Sequence, residues 1–268
     1  MRHVSLPMYD FPEVHSATMR LVDSVVSALR DLGEDVEANV PESTVHSGLV
    51  EHWKSDSTYL SQSCGLPYVE ELHPFVDVIG TFKWAGVSDD RGGYRTVIVK
   101  RPGLAARSVP DLEGLRPVVS NVYSLSGWCR LGCVLARVTS DPAFVKPYIQ
   151  GGGHAGSLQA LQEGRADFAS IDSGTFQLLS RHRPSLTEGV AVIDEGPLVP
   201  ATPLHVSKVR SVASLERIRT AVAAAIDSAS NRDALDAIGI ESFVGLENEV
   251  YHEEIPPLVD TALRLLPR

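Results

Sequence analysis

Apolar positions along the chain follow two alternating periods, and the alternation predicts an architecture before any single residue is considered. Val14, Ala17, Leu21, Val25, Ala28, Leu29 and Leu32 recur at helical spacing and predict a helix over 13–32, with Gly33 where a C-cap belongs. Short apolar runs predict strands at 4–6, 35–40, 58–61, 76–82 and 94–100, with helices at 46–53 and 67–72 between them. Residues 101–114 carry Pro102, Gly103, Pro110 and Gly114 and read as a crossing into a second unit. There the rhythm restarts, with strands at 117–121, 148–151, 168–172 and 190–195 and helices at 127–137, 156–164 and 174–181. Gly196-Pro197-Leu198-Val199-Pro200 reads as a second crossing, followed by a strand at 204–206 and helices at 215–230 and 257–266.

Such alternation predicts an α/β fold with open, mostly parallel sheets flanked by helices. Two crossings around a middle unit predict two lobes. The first is 1–100 plus 201–268, the second is 101–200, and hinges are expected near 99–103 and 196–204.

Charge narrows the partners. The formal net charge is −10 and no basic stripe exists to displace counterions, which excludes nucleic acid. A small anion is compatible with that balance, because local donors act at a few ångströms where distant carboxylates are screened. No run of about 18 apolar residues predicts a membrane span. Neither a basic n-region nor an apolar h-region opens the chain, so the expected location is cytoplasmic, or periplasmic if a leader precedes it. Cys64, Cys129 and Cys133 are odd in number and form no CxxC pair, which fits reduced thiols. No metal-ligand spacing, Walker loop or GxSxG elbow is present, and no cofactor is expected.

Four turns carry candidate chemistry, because ligands in open α/β sheets sit beyond the carboxyl ends of strands. In the turn 121–127, Ser124, Ser126 and Gly127 read as an anion cradle at a helix start, or as a plain N-cap. Gly151-Gly152-Gly153-His154 offers glycines able to take positive φ, close backbone approach and an imidazole donor, or a structural histidine. Asp172 either accepts a ligand N–H or O–H, or caps the next helix. Cys64, after Ser61, Gln62 and Ser63, is either a thiol of lowered pKa or an inert buried residue.

The order of these segments carries more than any one of them. Ser5-Leu6-Pro7-Met8-Tyr9-Asp10 is followed by Leu60-Ser61-Gln62-Ser63-Cys64-Gly65, by 94–99, and by Asp111-Leu112-Glu113-Gly114. Next come Ser124-Leu125-Ser126-Gly127, Gly153-His154 with Ser157, and Gly164-Arg165-Ala166-Asp167 with Asp172-Ser173. Over roughly residues 1–206 this resembles the phosphate/phosphonate substrate-binding proteins of ABC transporters, of type II periplasmic-binding fold, and a leaderless branch among them. The resemblance implies that Ser124, Ser126 and Gly127 hold an anion's oxygens, that Tyr94 and His154 add donors, and that Asp172 reads a cationic or hydroxyl substituent. It implies a first-lobe wall of Tyr9, Ser61, Gln62, Ser63 and Cys64. The family's usual Ser-Thr-Ser-Gly has Leu125 in place of the Thr. The branch's Pro-Gly-Cys is replaced by Gly86-Val87-Ser88-Asp89.

The leading expectation is a non-catalytic binder of a small oxyanion in the cleft between the two lobes, with a transporter or a regulated protein as partner. The rival is an enzyme on the same fold, lyase- or desulfinase-like, with Cys64 as nucleophile and His154 as acid or base. A third reading is a ligand sensor acting on a regulated protein.

Overall fold

The first helix ends as its sequence predicts. His15–Asp31 buries Thr18, Leu21, Val22, Val25, Val26 and Leu29 along one stripe. Gly33 takes φ 88°, its N–H bonds the Arg30 carbonyl at 2.8 Å, and the Glu34 N–H bonds the Leu29 carbonyl at 3.1 Å. That is a Schellman motif, which needs a residue tolerant of the left-handed region at this one position.

The computed structural model describes residues 1–209 and 213–268. They form two compact units: Met1–Gly93 with Pro200–His252, and Tyr94–Val199 with Glu253–Arg268. Residues 94–100 and 253–268, assigned to the first lobe from sequence, cluster with the second unit. For the former the reason is hydrogen bonding, since Thr96–Lys100 pairs in full with Phe168–Asp172 and also with Ala191–Glu195. For the latter it is close helix packing. A Cβ on Gly132 would lie 2.6 Å from the Ala262 Cα, so the terminal helix Pro256–Leu265 seats on bare backbone. Trp128 Nε1 then donates to the Leu266 carbonyl at 3.0 Å, and Cys133 Sγ to that of Leu258 at 3.3 Å.

The first unit's sheet runs Ile240–Val244, Val76–Trp84, Pro203–Ser207, Thr58–Gln62, Arg2–Val4 and Val36–Ala38 in spatial order. Arg2–Val4 is parallel to both its neighbours, whereas Pro203–Ser207 is antiparallel to both of its own. The second unit's sheet runs Ala191–Glu195, Thr96–Lys100, Phe168–Asp172, Pro117–Val119 and Ile149–Gln150. Its last three strands are parallel, and Thr96–Lys100 opposes them. Both sheets are therefore mixed: Pro203–Ser207 and Ile240–Val244 run against the other strands of the first, and Thr96–Lys100 against those of the second. The edge strand Ile240–Val244 lies between the predicted helices 215–230 and 257–266, where the sequence reading assigned no strand. It is announced by Gly239 at φ 91°, which stops the helix Arg232–Ile238. Among the described residues, no helix is long and apolar enough to cross a membrane.

Candidate functional site

Three parallel strands of the second unit end at the same edge of their sheet. Pro117–Val119 delivers Ser120 and the turn 121–127, Ile149–Gln150 delivers Gly151 to His154, and Phe168–Asp172 ends on Asp172. The opposed strand starts there too, since Thr96 sits in register with Asp172. This is the edge at which α/β sheets present ligand-binding groups.

The turn 121–127 folds back on itself. Ser124 Oγ accepts from the Gly127 N–H at 2.9 Å, so that amide is spent on capping. The predicted helix opens with a π-type turn, Leu125–Cys129, and its α-helical part, Arg130–Leu135, has six residues. Capping and shortness together leave the cradle to side chains rather than to the Gly127 amide or a helix dipole. Ser126 Oγ lies 2.8 Å from His154 Nε2 and 3.3 Å from Ser124 Oγ, which joins two of the four predicted turns directly. The Ser126 carbonyl is fixed in turn by the buried Ser170 hydroxyl at 2.7 Å.

His154 opens the helix His154–Gln162, with its Nδ1 buried and lacking a hydrogen-bond partner among the described residues. Burial holds its pKa below the ordinary value; the nearby Asp172 carboxylate pulls it up and Arg130 pushes it down again. Asp172 is itself the N-cap of Ser173–His182, taking the Thr175 N–H at 2.7 Å. The capping alternative is thus realised alongside its electrostatic effect on His154.

Of the three glycines before His154, Gly152 takes positive φ, at 77°, and Gly153 is extended. Gly151 makes a close approach, but to its own helix: a Cβ there would lie 2.7 Å from the Ser157 backbone N. Asp167 of the Gly-Arg-Ala-Asp motif is structural. It binds Arg101 Nε and the Arg116 N–H, both at 2.9 Å, and so ties two segments of its unit together.

Tyr94, expected from the first lobe, belongs to the second unit, and one face of its ring is covered. The Arg130 guanidinium carbon stands 4.1 Å from the ring centroid. Arg130 was not singled out from sequence, yet it is fully buried, and Nε, Nη1 and Nη2 all lack hydrogen-bond partners among the described residues. Its stem passes Gly196, where a Cβ would come within 3.4 Å of the Arg130 Cβ and 2.3 Å of Thr96 Oγ1. Thr96 Oγ1 and Ser120 Oγ are likewise buried and unpartnered among the described residues.

The first-unit candidates are held in their own core. Tyr9 packs on Trp84 with ring centroids 4.2 Å apart. Ser61 Oγ meets Ser5 Oγ at 2.8 Å, which meets His52 Nε2 at 2.8 Å, and Gln62 Nε2 donates to Thr202 Oγ1 at 2.9 Å. Tyr9 and Gln62 border a void of about 10 Å³, room for one water at most. Ser63 is buried with its hydroxyl unpartnered among the described residues, and Cys64 is a partly exposed thiol outside any disulfide.

The model of a family described as ABC transporter, phosphonate, periplasmic substrate-binding protein matches residues 6–251. No curated protein matches the sequence. Among solved structures, PhnD1 from Prochlorococcus marinus in complex with methylphosphonate superposes at TM-score 0.76 and 16% identity, covering 97% of this chain and 98% of its own. A Xanthomonas citri protein bound to ATP gives 0.72 and 15%, covering 98% and 97%. A binding protein component of an ABC phosphonate transporter from Pseudomonas aeruginosa gives 0.71 and 15%, covering 93% and 82%. At these identities the likenesses establish the fold.

Proposed function

This chain belongs to the family of periplasmic substrate-binding proteins of phosphonate ABC transporters, and we propose that its second unit binds a small oxyanion without chemical conversion. Membership implies a small ligand and an ABC transporter as partner. The proposed ligand class is phosphonate or phosphate, or a related sulfur or carboxylate anion. The observation that carries the reading is the Ser124–Ser126–His154 chain at the shared strand edge, with Ser126 Oγ 2.8 Å from His154 Nε2. Hydroxyls and an imidazole are donors that suit an acceptor-rich oxyanion. In a site sealed from water such charge-assisted bonds are about twice as strong as neutral ones. The solved relatives carry different ligands, methylphosphonate in one and ATP in another, so the ligand is a matter for titration.

A thermal-shift and calorimetric panel of methylphosphonate, inorganic phosphate, methanesulfonate, acetate and ATP tests the proposal. At least one small oxyanion is expected to bind one per chain and raise the melting temperature. Saturation at 1,000-fold over Kd adds about 4 kcal/mol to stability. Ser126→Ala is expected to weaken that anion at least tenfold. A panel in which no small oxyanion shifts the melting curve overturns the reading.

A further inference from the structure

We infer that Arg130 sets the charge class of the ligand: its guanidinium pairs with an acidic oxyanion group, so that the site takes anions and rejects their neutral isosteres. The inference rests on the second unit being the binding site and adds the residue that decides what enters it.

The argument starts from what a buried guanidinium requires. Guanidinium groups keep their charge in proteins and present up to five donors with no acceptor. Removing that charge from water costs several kcal/mol unless an anion and hydrogen bonds replace the solvent. Arg130 is fully buried, and among the described residues its guanidinium has no hydrogen-bond partner and meets the Tyr94 ring face at 4.1 Å. A cation over an aromatic face gains less than that desolvation costs. Nor does the contact supply an acceptor for any N–H.

The surroundings share the deficit. Thr96 Oγ1, Ser120 Oγ and His154 Nδ1 are also buried without partners among the described residues. Arg130 touches the same Gly196 position as Thr96, and its charge acts on His154. Each of these groups can donate to an anion, and what the cluster lacks is a negative charge to offset that of Arg130. A carboxylate, phosphonate or sulfonate group carries acceptors and the compensating charge together, and a planar fork can engage two of its oxygens at once. Asp172 is the negative group nearby, and its Oδ1 is already committed to the Thr175 N–H. The Tyr94 face meets the guanidinium, and the bare Gly196 backbone lies beside its stem. The fork is thereby positioned before a ligand arrives.

The test uses the full-length protein and three variants, Arg130→Met, Arg130→Lys and Ser126→Ala. Titrants are methylphosphonate, methanesulfonate and its neutral isostere methanesulfonamide. The parent protein is expected to prefer methanesulfonate over methanesulfonamide. Arg130→Met is expected to lose at least 100-fold in anion affinity and to bring the two sulfonyl compounds within a few-fold of each other. Arg130→Lys is expected to fall between, because an ammonium cannot span two oxygens. The ligand-free Arg130→Met protein should melt no lower than the parent, since removing an unpaired buried charge relieves the folded state. Anion affinity in Arg130→Met within threefold of the parent, with Ser126→Ala still impaired, overturns the role of Arg130 and leaves the site standing. A melting temperature in ligand-free Arg130→Met well below the parent's, with binding retained, assigns Arg130 to structure and overturns the inference. Anion binding indifferent to both Ser126→Ala and Arg130→Met overturns the site and the inference together.

Discussion

Between pH 6.5 and pH 4.5 the protein is expected to lose several kcal/mol of stability, from groups that titrate above the ordinary carboxylate range when unfolded. The cause lies in histidines buried in the neutral form. His205, on the central strand Pro203–Ser207, is 1% exposed; burial first, and the neighbouring His52 second, push its pKa down to about 3. His52 is lowered to about 4, by burial and then by His3, and His154 is lowered mainly by burial. The unfolded chain binds these protons near 6.5 and the folded one does not, so protons favour unfolding throughout the interval. Stability from these groups is complete above about pH 6.5 and is lost as pH falls towards the folded-state values. Each fully neutral-buried histidine contributes a slope of up to about 1.4 kcal/mol per pH unit. Against a total of about 5–15 kcal/mol for a domain, that effect is large. Urea midpoints measured from pH 7 to 4.5 should fall, and His205→Leu, which also removes the unpartnered Nε2, should flatten the fall. An identical slope in His205→Leu removes His205 from this account.

Gly127→Ala is expected to damage both folding and the site. A Cβ at that position would lie 2.1 Å from Ser120 Oγ, 2.8 Å from Ser120 Cβ and 3.0 Å from the Ser120 backbone N. The first two contacts are far inside van der Waals distance, and the third blocks escape through the backbone. Overpacking of this kind costs about 1–3 kcal/mol. Relief requires the turn to back away from the strand end, which carries Ser124 and Ser126 with it. The expected result is a stability loss of about 2 kcal/mol with anion affinity reduced at least tenfold. Ser120→Gly in the same chain should recover much of the stability, because it deletes the two nearest atoms. Unchanged melting of Gly127→Ala contradicts the packing described for this turn.

What was legible in the sequence was local. The turn 121–127, the glycines before His154 and the position of Asp172 all follow from strand-to-turn-to-helix patterns within a few residues, and the structure places them at one sheet edge. Gly33 and its Schellman motif were legible for the same reason. Arg130 was not, because a cation in a helical run reads as a solvated face. Its burial depends on Tyr94 and Gly196, neither of them near it in the chain. The seating of Pro256–Leu265 in the second unit was hidden likewise, since it depends on the missing Cβ of Gly132 meeting Ala262. Strand Ile240–Val244 was not predicted, although Gly239, at positive φ, ends the helix before it. In the first unit, Ser61 and Gln62 read as ligand contacts from motif order, yet their side chains bond Ser5 and Thr202.

The central claim is that an oxyanion is held at the edge where Ser126 meets His154. Histidine ring nitrogens observed by NMR during a titration with methylphosphonate test it most directly. The expected result is that the His154 ring signals shift in proportion to saturation and its pKa rises as the anion binds, while His205 is unmoved. Saturable methylphosphonate binding that leaves the His154 signals where they were contradicts the claim.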